Sequence, residues 1–185
     1  MGTDDELDFT HDLDLPAPQP TAEQHAQAEK QTIGGMRAVR REGYYVNILH
    51  RPGERIPPRS GNKHCVLVMD GDQTNTLLLA RALMLAGLDV RSATNRDEIV
   101  VELKRQPAPD AIVMGGVLPT LKALDLLSRL RGHPTFGAVP IIIIAAKFAQ
   151  EDMVAALARG ASGYMTKPFK PEALLDTVKA VLGLG

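Results

Sequence analysis

The sequence predicts an α/β fold, a doubly wound five-stranded parallel sheet of (βα)5 order with an N-terminal extension. Two observations carry this. From Lys63 onward, short apolar runs alternate five times with segments whose apolar residues recur at helical spacing. The 185 residues are 44% apolar, enough for one domain of ordinary size with a real core. Strands joined through helices run parallel and are covered on both faces, so they read as unbroken apolar runs rather than as alternation.

Along the chain, residues 1–20 come first. They hold six acids and no Lys or Arg, scatter Leu7, Phe9, Leu13 and Leu15, and close on Pro-Ala-Pro-Gln-Pro. So little apolar surface does not offset ordering entropy, and an acidic disordered tail is expected, or else a short motif whose Leu and Phe dock into a partner groove. Residues 21–62 form an arm and linker. Thr21 with Gln24 three residues on marks a helix start, followed by good helix formers to about Gln31. Gly34-Gly35 is expected to interrupt this helix, with a further turn or two from Met36 to Arg41. The run Tyr44 to Leu49 is aromatic and β-branched and reads as a strand outside the main domain. Ile56-Pro57-Pro58-Arg59-Ser60-Gly61 reads as an extended linker.

The domain proper is expected over residues 63–185. Cys65 to Met69 is the first strand, and Leu77, Leu78, Ala80, Leu83 and Met84 mark the helix that ends at Gly87. The remaining strand–helix pairs are Asp89–Ala93 with Asp97–Arg105, Ala111–Met114 with Leu121–Arg131, Pro140–Ala145 with Glu151–Arg159, and Gly163–Thr166 with Pro171–Leu182. Five such units fit a flavodoxin-like sheet, whose site lies at the carboxyl ends of its strands.

Charge and composition exclude several classes. The formal net charge is -1, divided as -6 over residues 1–20, +4 over 21–64 and +1 over the rest. The single Cys65 has no internal disulfide partner and suits a buried role in a reducing compartment. The longest apolar stretch, Val139 to Ala146, is too short to span a bilayer, and the first thirty residues lack a signal-type apolar region, so a cytoplasmic protein without membrane attachment is expected. The histidines, His11, His25, His50, His64 and His133, show no metal-ligand spacing with Cys65, and no phosphate-binding Gly-rich loop occurs. His25 lies on the expected arm helix, where a solvated residue is the plainer reading than a phosphotransfer group. A non-enzymatic chain without a cofactor is expected.

In the doubly wound arrangement, Asp70 and Asp72 leave the first strand, Gly115 the third, Ala145 the fourth and Lys167 the fifth, all at one end of the sheet. The fifth unit, Gly160-Ala161-Ser162-Gly163-Tyr164-Met165-Thr166-Lys167-Pro168-Phe169, resembles the Gly-Ala-x-x-Tyr-x-x-Lys-Pro-Phe signature of response-regulator receiver domains of the CheY-like superfamily. The resemblance covers residues 63–185. It implies that Gly115 stands where the family has its phosphoacceptor aspartate, and acyl-phosphate chemistry needs a carboxylate. It further implies that Asp70 and Gly71 stand at the acid pair that helps bind Mg²⁺, and that Ala145 replaces the Ser or Thr that bonds the phosphoryl group. Lys167 and Tyr164 keep their family identities, and the Lys167–Pro168 bond is of a kind commonly cis in the family.

Metal binding is therefore expected to be poor, with Asp70 and Asp72 the candidate ligands, Asp72 alternatively capping the next helix. Lys167 is expected to pair with Asp70, and Tyr164 to be fixed in one state. Gly115-Gly116 is read as a loss of side chain, or as a backbone concavity holding an anion.

The resemblance implies a degenerate pseudo-receiver, a phosphorylation-independent interaction module in bacterial two-component signalling or phosphorelay. Its expected interaction surface is 151–182, including Tyr164, Lys167, Pro168 and Phe169, meeting a kinase, a regulator or another effector. The arm is a second candidate: its Tyr44–Leu49 strand is expected to join the sheet edge of a neighbouring subunit, giving a homodimer in which Arg37, Arg40, Arg41, Arg51, Arg55 and Arg59 meet acidic partners. With Gly185 directly after the last helix, no downstream output domain is expected. An alternative is a small nucleic-acid-binding regulator using the basic 37–63 segment with the receiver as dimerisation base, though no reading motif accompanies it. A phosphoacceptor role for Asp110 is excluded by distance, since it lies at the other end of the third strand, about 3.3 Å per residue away.

Overall fold

In the computed structural model, the described residues are 13, 15–46, 54–115, 117–118, 121–147 and 149–184. The elements are α1 (Ala22–Glu42), β1 (Tyr44–Val46), β2 (Cys65–Met69), α2 (Gln73–Leu85), β3 (Asp89–Ala93), α3 (Arg96–Lys104) and β4 (Ala111–Gly115). A two-residue hairpin follows, β5 (Val117–Leu118) and β6 (Leu121–Lys122), then α4 (Ala123–Gly132), β7 (Ile141–Ala145), α5 (Gln150–Ala158), β8 (Gly163–Thr166) and α6 (Pro171–Leu182).

The main sheet has the order β1-β8-β7-β4-β2-β3. Its five strands from β8 to β3 are parallel, with Met69 opposite Met114 and Gly115 opposite Ile144. The three central strands are apolar because both faces are covered: every residue from Val66 to Met69 and from Ala111 to Met114 is fully buried. One side carries α2 and α6, with Leu79, Leu83, Leu174 and Val178 in one cluster. The other carries α3, α4 and α5, with Ile99, Leu126, Leu130 and Met153 in a second.

The expected five-stranded sheet is corrected to six. Tyr44–Val46 does not lie outside the domain; it pairs antiparallel with β8 of its own chain, Tyr45 opposite Tyr164. Residues 47–49 of the expected strand lie outside the described residues. The expected break at Gly34-Gly35 is also absent, and α1 runs unbroken across it with a capping box at Thr21 and Gln24. Packing overrides the cost of the glycine pair here: Gly35 is buried, and a Cβ there would overlap Met153 Cε and stand 3.1 Å from the Tyr45 ring.

A third difference concerns α2. Leu79, Ala80 and Leu83 face the core, whereas Leu77, Leu78, Met84 and Leu85 are exposed. That helix is apolar on two sides, so periodicity alone does not select its inner face. Cys65, at the edge of its strand, is half-buried, and burial pushes its thiol pKa up.

Two of the described residues among 1–20 touch the domain. Leu13 is buried, and Gln19 Oε1 accepts from Arg159 Nη2 at 3.0 Å. The linker is pinned as well: Ile56 N donates to Leu182 O at 3.0 Å, and Ile56 O lies 2.6 Å from His64 Nε2. The loops below the sheet are gathered by Arg131, which donates to the carbonyls of Gly160 (2.8 Å) and Val139 (2.6 Å) and to Ser162 Oγ (3.1 Å). Burial lowers its pKa to about 10. Among the described residues, no helix is long and apolar enough to cross a membrane.

Candidate functional site

The carboxyl ends of β2, β4, β7 and β8 bring Asp70, Gly115, Ala145 and Lys167 to one end of the sheet, as the doubly wound topology requires. Asp70 is 3% exposed and is the buried carboxylate of this end. Its Oδ1 accepts from Asp72 N at 2.9 Å, and its Oδ2 accepts from Asn75 Nδ2 at 2.6 Å. Lys167 Nζ stands 3.7 Å from the same Oδ2, its side chain partly exposed, and the Lys167–Pro168 peptide is cis.

Gly115 closes β4 directly beside this carboxylate. A Cβ built at 115 would lie 2.5 Å from Asp70 Oδ2 and 2.7 Å from its Cγ. The volume that a side chain at 115 would enter is thus taken by Asp70. Gly116 lies outside the described residues, so the concavity reading of Gly115-Gly116 does too. Gly71 bridges Asp70 to Asp72, whose Oδ1 accepts from Asn75 N at 3.1 Å as the N-cap of α2.

These donors do not fit a magnesium ion. A hard divalent cation wants several oxygens free to face it. Here Asp72 is used in capping and Gly115 offers no side chain, which leaves Asp70 as the one carboxylate buried at this end among the described residues. Among the described residues, no group of three or more His, Cys, Asp or Glu could hold a metal ion.

Ala145 ends β7 opposite Thr166 and contributes only a methyl group. Next to it Tyr164 is 1% exposed, fixed inward in this structure, and its hydroxyl makes no well-formed hydrogen bond among the described residues. Burial first, then the charge of Asp152, push its pKa up to about 12, against the opposing pull of the Ala149 amide. Ala145 and Tyr164 line a cleft of about 830 Å³ with Ile143 and Leu118, edged by Lys122, Lys147 and Asp152. Pro168 and Phe169 lie away from it, in a hollow between the β1 start and α6 that includes Tyr44 and Asp176.

Sequence reasoning missed Asn75, which makes the shortest of Asp70's contacts. Its signal was local: three residues after an N-cap Asp, a first-turn side chain points back over the strand end.

A profile of the response regulator receiver domain matches residues 66–179. The chain belongs to this family. Among receiver relatives, protein PilH of Pseudomonas aeruginosa is 34% identical over 117 residues, covering 63% of this chain and 96% of its own length. The probable transcriptional regulatory protein TcrX of Mycobacterium tuberculosis is 31% identical over 122 residues, covering 66% of this chain and 51% of the relative. The chain spans about half the length of TcrX and of other curated transcriptional regulators it matches, against nearly the whole of PilH. Among solved structures, a putative response regulator from Chloroflexus aurantiacus superposes with a TM-score of 0.61 at 31% identity, covering 65% of this chain and 98% of the other. The chemotaxis response regulator CheY4 of Vibrio cholerae gives 0.60 at 25% identity, covering 65% and 100%. The receiver fold therefore occupies the β2–α6 part of the chain, and α1 and β1 precede it.

Proposed function

We propose that this receiver works without an aspartyl phosphate, as a protein–protein interaction module of two-component signalling. The observation that carries this is the pairing of Gly115 with Asp70. The residue at the end of β4 has no nucleophile, and the neighbouring carboxylate, held by Asp72 and Asn75, fills the space a nucleophile would need. Ala145 removes the hydroxyl that would meet a phosphoryl oxygen. What remains is a rigid end of the sheet, its lysine turned toward Asp70 and its tyrosine buried.

The test is incubation of the full chain with a small phosphodonor and Mg²⁺, followed by intact-mass measurement. The expected result is an unchanged mass. A stoichiometric phosphoryl adduct that disappears in Asp70→Asn or Asp72→Asn would overturn the proposal. The nucleic-acid alternative rests on charge: Arg37, Arg40, Arg41, Arg55 and Arg59 are exposed, but nothing beyond their sign favours it.

A further inference from the structure

The face that a receiver of this chain's sequence was expected to offer to partners, 151–182, is in part already occupied. Helix α1 packs along α5, and β1 adds to the free edge of β8. The two helices run antiparallel, since Gln24 to Gln31 stand against Leu157 to Gly160 while Gly35 meets Met153.

The arm is built as a cover. Helix α1 buries a single stripe, Ala28, Thr32, Gly35 and Val39, spaced four, three and four residues apart. Its charged positions Glu29, Lys30, Arg37, Arg40 and Arg41 face solvent. It lays small residues over the apolar Met153 and Leu157 and presents charge outward. Strand β1 does the same for the backbone: it satisfies the row of β8 amides and carbonyls that an open edge would offer to another chain. The arm itself ends the sheet with a strand of only three residues.

We infer that residues 22–46 are a cis cap that keeps the α5–β8 face from a second copy of this chain. The occupant follows from the geometry of the edge. β1 meets β8 antiparallel, and two β8 strands related by a two-fold axis also meet antiparallel, so an uncovered β8 is complementary to itself. The same axis sets the α5 apolar side chains of one copy against those of the other. The strand that by sequence would join a neighbouring subunit pairs instead within its own chain.

The test uses the full chain and displaces the arm by single substitutions. Gly35→Glu forces a side chain into Met153 and Tyr45, whereas Gly34→Ala, with nothing within 4 Å of its Cβ, is the silent control. Arm release is read as trypsin cleavage at Lys30, Arg37, Arg40 and Arg41, mass by light scattering, and edge cover by hydrogen exchange of residues 163–166. Wild type and Gly34→Ala are expected at the mass of one copy with the arm protected. Gly35→Glu is expected to be cut about ten-fold faster or more and to double in mass, with 163–166 still protected. Should Gly35→Glu fail to fold by circular dichroism, Ala28→Arg, at another buried position of the stripe, takes its place. A released arm with the mass of one copy, a dimer whose β8 amides exchange freely, a wild type already dimeric with its arm protected, or an arm that neither variant releases would each overturn the inference.

Discussion

Two aspartates are buried at opposite ends of the sheet, and they are held in different ways. Asp110, 2% exposed, precedes β4, and its carboxylate accepts from two main-chain amides, Arg59 N at 2.9 Å and Cys65 N at 2.8 Å. It ties the linker and the start of β2 to β4. Asp70, 3% exposed, follows β2 and has one main-chain amide, one side-chain amide and a lysine at 3.7 Å. The first is a structural staple made by backbone that cannot move away. The second leans on side chains, and its carboxylate fills the place that a Cβ at residue 115 would take.

Breaking the staple is expected to have the largest effect. Asp110→Ala leaves two amides without their charged acceptor and is expected to cost about 3–5 kcal/mol, measured by urea unfolding. A loss below about 1 kcal/mol would mean that water replaces the carboxylate and that the two ends are not distinct in kind.

Next comes the crowding at the other end. Gly115→Ala pushes a methyl against Asp70 and is expected to cost about 1–3 kcal/mol. In an Asp70→Gly background most of that cost should vanish, and the double-mutant cycle reads the coupling directly. Additive losses would show that Asp70 does not occupy the space beside residue 115.

A smaller effect is expected from Lys167→Met. The ammonium is partly exposed and 3.7 Å from Asp70, so its removal should cost about 1 kcal/mol or less. A loss as large as that of Asp110→Ala would put the lysine, rather than Asn75 and the Asp72 amide, in charge of Asp70.

The smallest concerns Tyr164, whose hydroxyl has no well-formed bond to lose. Tyr164→Phe is expected to change stability at neutral pH by no more than about 0.5 kcal/mol. The difference opens in alkali. With its pKa raised from 10.0 to about 12, the folded phenol stays neutral while the unfolded one ionises, so its contribution is intact below pH 10 and is lost as pH rises toward 12. Wild type should lose more stability than Tyr164→Phe across that window, and parallel losses would refute the buried phenol.

Much of this was legible in the chain. Runs such as Val66 to Met69 and Ile141 to Ile144 are apolar because parallel strands are covered on both faces, and that requirement writes itself into the residues whatever the partners are. The helix of Gln73–Leu85 shows where such reading stops: Leu77 and Leu78 look like core residues and face solvent, because the pattern records hydrophobicity and not which side meets the sheet. At the site, the identities of Asp70, Gly115, Ala145 and Lys167 and their shared end of the sheet could be read. The position of the Asp70 carboxylate could not, because it depends on an amide five residues away and on the close approach of the glycine that ends β4.

By itself the sequence determined the order of the five parallel strands and the helices between them, the chemistry available at their ends, and hence the family. Local spacing and residue type suffice for these, since each is a property of a segment or of a topology with few alternatives. Only the tertiary structure decided that Gly34-Gly35 would not break a helix, that Tyr44–Val46 would close its own sheet, and that the α5–β8 face would lie under the arm. Those outcomes depend on one backbone meeting another far along the chain. Pairing and close approach of that kind are carried by main-chain groups and by the absence of a side chain, which leave no pattern in the residues.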